Sequence, residues 1–191
     1  MPSASLQAWR TVRRIALDEL EAAHRSVGGM RRGRRYARQQ INHAYAVLLS
    51  SQFQGYCRDL HSECADYFVD SVPATLRTAL RNVLVQHRRL NMGNPNAGNI
   101  GEDYNRFGLP FWDEVKNLDM RNQARQTRLD ELNLWRNAIA HQDFDPAKLG
   151  GSVALRLQRV RDWPNACNQL AYAFDEVMRV HLQGVRGFSP W

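Results

Sequence analysis

Apolar residues recur every three or four positions along most of this chain, and a period near 3.6 predicts helices almost throughout. From Leu6 to about Ser26, Leu6, Trp9, Val12, Ala16, Leu20 and Ala23 mark one face, with Arg10, Arg13 and Arg14 on others. Ser3 or Ser5 is placed to cap that helix and Gly28-Gly29 to end it. A longer stripe, including Ile41, Tyr45, Leu49, Phe53, Tyr56, Leu60 and Cys64, predicts a helix from about Tyr36 to Val69, about 50 Å long at roughly 1.5 Å per residue. Pro73 opens a third helix, Ala74 to Leu90.

The stretch Asn91 to Gly101 is almost wholly turn-forming and reads as a loop, followed by a short element from Leu109 to Leu118. Leu129, Leu132, Trp135 and Ile139 stripe a helix from about Gln123 to Gln142, and a last helix runs from about Trp163 to Gln183. Only Val153, Leu155 and Leu157 alternate like a brief strand. The expectation is an all-α, single-domain helical bundle of about five to six helices with a long second helix. With 191 residues, 43% of them apolar, the chain is sized for one core, spanning about 6–184 of a 1–191 domain with a short tail at 185–191.

Charge narrows the partners. A formal charge of +7 favours polyanions. The 26 basic residues are 24 Arg and 2 Lys; the fork of arginine suits phosphate, although a codon bias toward Arg produces the same count. Arg31, Arg32, Arg34 and Arg35 form a dense basic link that is a candidate RNA-binding track, and Arg10, Arg13, Arg14, Arg88 and Arg89 extend it. Three cysteines, an odd number in apolar surroundings, fit free thiols in a reducing compartment. The N-terminal residues lack a secretory pattern, and no apolar run approaches the roughly 18 residues of a membrane span, so a cytoplasmic protein without membrane association is expected.

Motifs exclude several chemistries. No Gly-x-Ser-x-Gly elbow and no His-Glu-x-x-His pair occurs, and the glycines of 91–101 fit neither a Walker loop nor a dinucleotide fingerprint. Cys57, His61 and Cys64 share a helix face that would suit a soft metal, but Tyr56, Leu60 and Phe68 flank it and favour the core; no metal and no cofactor is expected.

One constellation remains. An arginine followed after four to six positions by a histidine combines a phosphate clamp with a proton-transfer group. Three such pairs occur, against about two expected by chance: Arg38 to His43, Arg81 to His87 and Arg136 to His141. The last closes a helix with a strong apolar stripe, and the small Ala138 and Ala140 beside it suggest a groove. On an ideal helix Arg136 and His141 lie roughly 140° apart in projection, whereas Asn137 shares the face of His141. Without a function, Arg136 would instead pair with Asp130 or Asp143, leaving His141 an ordinary helix-end histidine.

Arg136-Asn137-Ala138-Ile139-Ala140-His141, in a basic helical chain, resembles the signature of the HEPN superfamily. Upstream, Ala46 to Tyr56 resembles the long second helix of HEPN proteins from bacterial toxin and defence loci, with Gln54 where relatives often carry an acid. The resemblance implies a bundle of four to six helices, commonly a homodimer with two motif copies lining a cleft. It implies a metal-independent endoribonuclease in which His141 moves protons, Arg136 stabilises charge and Asn137 hydrogen-bonds phosphate or fixes an imidazole nitrogen. The alternative it leaves open is a non-catalytic module that binds RNA, nucleotide or a partner protein. Expected partners are RNA, a second copy, and an antitoxin or defence-system protein.

Overall fold

A computed structural model describes residues 1–26, 32–155 and 157–191, with backbone alone at 32–35, 157 and 158. Among the described residues there is no strand; Val153 and Leu155 lie in irregular chain, one exposed and one buried. The helices in chain order are α1 (Ala4–Arg10), α2 (Val12–Ser26), α3 (Arg32–Val69), α4 (Ala74–Val85), α5 (Arg89–Met92), α6 (Ala97–Tyr104), α7 (Phe111–Leu118), α8 (Asn122–His141) and α9 (Leu157–Arg186). Eight have seven or more residues and α5 is a single turn, so the bundle among the described residues exceeds the five to six helices expected.

The extra elements come from predicted helices that break. The first divides at Thr11, whose hydroxyl bonds the Gln7 carbonyl at 2.8 Å. Ser3 caps α1 by accepting from Leu6 N, while Glu63 of α3 accepts from Ala4 N and from both Ser5 N and Ser5 Oγ. A carboxylate of the long helix therefore satisfies the free N–H groups of the first.

The third predicted helix ends at Val85, not Leu90, because two residues from beyond it seize its backbone. Arg106 donates to the carbonyls of Leu84, Gln86 and His87, and the buried Asp103 carboxylate accepts from Arg89 N and Leu90 N at 2.8 and 2.9 Å. His87 sits in the left-handed region as a result. The predicted loop 91–101 is helical from Ala97, since Asn96 caps Asn99 N and Asp130 of α8 accepts from Ala97 N. The last helix starts six residues before Trp163 and runs through Pro164, which removes one helical N–H near its start.

α3 is the central rod, about 57 Å long at 1.5 Å per residue, and α1, α2, α4, α8 and α9 all pack on it. Its midpoint meets an aromatic core: Tyr104 stacks on Phe111 at 4.3 Å, Phe111 meets Phe174 at 4.9 Å, and Phe53 meets Phe174 at 6.0 Å. The buried phenols find acceptors, Tyr56 on Ala171 O and Tyr104 on Cys57 O. Gly55 leaves the bare surface on which the Arg13 guanidinium lies, bonded to Gln52 and Asp59 one turn to either side. Cys57, Cys64 and Cys167 are buried free thiols. Among the described residues no helix is long and apolar enough to cross a membrane.

Candidate functional site

The site forms where α8 runs along α3. Ser50 Oγ donates to Asn133 Oδ1 at 2.9 Å near the middle of both helices, and His43 stacks on Phe144 just past the end of α8. The two helices are therefore antiparallel, and residues 136–141 lie opposite the N-terminal half of α3. Leu129, Leu132 and Trp135 are fully buried as the stripe demanded, with Ile139 partly so.

Polar residues of α8 bind the 93–95 loop. Asn133 Nδ2 donates to Pro95 O at 3.0 Å, and Gln54 Nε2 reaches from α3 to Leu90 O and Gly93 O at 2.6 and 2.7 Å. Gln54 thus has a definite task that an acid could not perform, because both partners are carbonyls. Asn94 from the same loop donates to Asn137 Oδ1.

Arg136 Nη1 donates to that same Asn137 oxygen at 3.2 Å. The structure thus brings Arg136 and Asn137 together, with the acceptor of Asn137 committed to Asn94 and Arg136 and not to His141. Among the described residues Arg136 has no carboxylate partner. Asp130 is taken by Ala97 N, and Asp143 by Lys148 at 2.9 Å. Burial pushes the Asp130 carboxyl above its usual range, against the pull of the Ala97 N–H. Arg136 itself is half-buried.

His141 is exposed at the last helical position and makes no hydrogen bond or ion pair among the described residues. Gln142 follows in the left-handed region, φ 55°, and Asp143 N returns to Ala138 O at 3.0 Å, closing a Schellman-like cap.

The other two Arg-to-His pairs are set differently. Arg81 is held by Asp66 at 2.5 Å, with His87 beyond the helix end. His43 is buried against Phe144. His61, 0% exposed, donates from Nε2 to Asp103 O at 3.1 Å and accepts at Nδ1 from Arg88 at 3.3 Å; burial, then the Arg88 charge, push it down to about 3. Burial alone lifts the Cys167 thiol, and it dominates the upward shifts of Cys57 and Cys64, so Cys57, His61 and Cys64 form part of the core.

Of the basic track, Arg31 lies outside the described residues; Arg32, Arg34 and Arg35 fall in the first turn of α3 with their side chains outside them too. Arg13, Arg14 and Arg89 are in ion pairs, with Asp59, Asp18 and Glu102, and Arg88 is buried. Sequence reasoning missed Asn94 and Asn133. The spacing of Asn133 and Asn137, one turn apart beside an asparagine-rich loop, was the signal for both.

A helical bundle whose long α8 closes on Arg136-Asn137-Ala138-Ile139-Ala140-His141 is a domain of the HEPN superfamily. More particularly, the chain belongs to the RiboL-PSP-HEPN family, whose model matches residues 14–179. Comparison with curated proteins and with solved structures gave no match.

Proposed function

We propose that this chain is a metal-independent endoribonuclease in which two copies bring their Arg136 and His141 side chains to one cleft. The observation that carries the reading is Arg136: a half-buried guanidinium held by an amide oxygen and left without a carboxylate among the described residues, five positions along α8 from an exposed imidazole that has no partner among them either.

RNA supplies its own nucleophile. A neutral imidazole takes the 2′-hydroxyl proton, the 2′-oxygen bonds to phosphorus, and the 5′-oxygen leaves with a proton from the imidazolium of the second copy. Arg136 stabilises the extra negative charge on the phosphorane oxygens. The products are a 2′,3′-cyclic phosphate and a 5′-hydroxyl. A toxin-antitoxin or anti-phage defence setting, with a cognate protein that restrains cleavage, fits such an activity.

The capture of Asn137 by Asn94 favours a second reading, a module that binds RNA, nucleotide or a protein without cutting. An RNA-cleavage assay in EDTA separates the two. The wild type is expected to cut and to leave cyclic phosphate ends, with His141→Ala and Arg136→Ala each slower by about 10²-fold or more. Undiminished cleavage by His141→Ala, or cleavage only with an added divalent metal, defeats the nuclease reading.

A further inference from the structure

A pocket of about 360 Å³ lies between α2, the N-terminal half of α3 and the start of α9, and none of the described residues lining it comes from α8. It reaches down to buried residues of α3, Asn42 at 6% and Tyr45 at 4% exposure. Leu20, Ile41, Val160 and Pro164 give it apolar walls. Arg14, His24, Arg25 and Arg161 bring basic side chains, and Glu21 is the carboxylate among the described lining residues.

Its charges are unevenly matched. Arg14 is paired with Asp18 at 3.0 Å, and Glu21 accepts from the Tyr45 hydroxyl at 3.0 Å. Arg25 and Arg161 are exposed and make no hydrogen bond or ion pair among the described residues. Burial, then the charges of Arg38 and Arg161, push the His24 imidazole down, so basic groups from α2, α3 and α9 crowd together here. Like charges gathered in this way repel, and an anion bound among them removes that cost. The amides also have capacity to spare. Asn168 spends its oxygen on Trp9 Nε1 at 2.9 Å and keeps its N–H groups, while Asn42 spends an N–H on Leu155 O at 3.0 Å and keeps its oxygen.

These groups narrow the occupant. Inorganic phosphate answers the cations but leaves the apolar walls and the two amides in water. A continuous nucleic-acid backbone tracks along a surface, whereas a pocket that reaches buried residues takes a chain end or a free molecule. A nucleotide answers each group: its phosphate meets Arg25, Arg161 and His24, its ribose hydroxyls meet Glu21, and its base lies between apolar walls with the amides at its edge. The volume falls within the roughly 300–1,000 Å³ of small-ligand sites. We propose that this pocket, apart from Arg136 and His141, binds a nucleotide by its terminal phosphate, supplied by a free nucleoside monophosphate or by the 5′-phosphorylated end of an RNA. The assignment stands whether or not the chain cuts RNA.

Isothermal titration calorimetry of the full chain with the four ribonucleoside 5′-monophosphates, their nucleosides and inorganic phosphate tests it. A monophosphate is expected to bind at least about tenfold more tightly than its nucleoside and than phosphate alone, as charge-assisted hydrogen bonds provide. Arg25→Gln and Arg161→Gln, both at exposed positions, each cut that affinity by about tenfold and leave the melting temperature unchanged. Anisotropy with 2′-O-methylated RNA, which cannot be cleaved, fixes the source. A 5′-phosphate that binds about tenfold more tightly than a 5′-hydroxyl, with the gain lost in Arg161→Gln, assigns the pocket to RNA ends; monophosphate binding without that gain assigns it to the free nucleotide. Absence of both monophosphate binding and a 5′-phosphate preference overturns the inference and leaves the nuclease reading standing. Phosphate that binds as tightly as every monophosphate overturns it too. Affinity that survives the Arg25→Gln, Arg161→Gln double variant overturns it as well, and its loss in Arg136→Ala would then place the ligand at the α8 motif.

Discussion

Asn94 and Arg136 share one acceptor, the Oδ1 of Asn137, so the 93–95 loop and the Arg136 guanidinium are tied through a single oxygen. Exchanging that amide for a carboxylate keeps the shape and the Asn94 bond but gives Arg136 a full counter-charge. Asn137→Asp is therefore expected to fold normally and to lower RNA affinity by about tenfold, as a charge-assisted pair competes with phosphate. Anisotropy at fixed salt, alongside a thermal melt, checks both halves; unchanged affinity would show that Arg136 does not meet the RNA.

Gln54 holds two carbonyls of the loop. Gln54→Glu removes the donor and sets a carboxylate against two carbonyl oxygens. The expected loss is about 1–3 kcal/mol, measurable as a lower urea midpoint.

His61 is held neutral in the fold, down to about 3, while in the unfolded chain it titrates near 6.5. The unfolded state therefore binds a proton first. Stability from this group is fully present above about 6.5 and drains away as pH falls toward 3, by at most about 1.4 kcal/mol per unit. His43, also lowered by burial, adds a smaller term of the same sign. His61→Gln is expected to melt lower at pH 7.5 but to show a flatter decline between pH 6.5 and 4. An unaltered slope would mean that other groups set the acid limit.

Gly101 is packed against Trp112: an added Cβ would sit 2.9 Å from its Cδ1 and 3.2 Å from its Nε1. That indole N–H donates to Ala97 O at 2.7 Å. Gly101→Ala should displace the ring and break this bond, lowering stability by about 1–3 kcal/mol and shifting tryptophan fluorescence.

The long helices and the stripe of α8 were legible because Leu129, Leu132 and Trp135 repeat at helical spacing and burial does the rest. What escaped was decided by side chains distant in sequence. Nothing local in Gln86-His87-Arg88 predicts that Asp103 and Arg106 will take over its backbone, and nothing in Ala97 announces Asp130. The motif was legible as residues and not as geometry: the shared face of Asn137 and His141 was correct for an ideal helix, but the loop asparagine claimed the amide. His43 was legible only as half of a spaced pair, because its stacking partner Phe144 lies 101 positions away, past the end of another helix.

The left-handed turn at Gln142 decides more than where a helix stops. The His141 imidazole has no bond of its own to the described residues, so its station is inherited from the backbone, and the same turn throws Phe144 back onto His43. The exposed imidazole of His141 and the ring that covers His43 are thus both placed by one pair of torsion angles. A substitution at residue 142 that cannot hold the left-handed turn should therefore shift His141 and Phe144 together, so that two side chains on opposite sides of one residue move as a single joint.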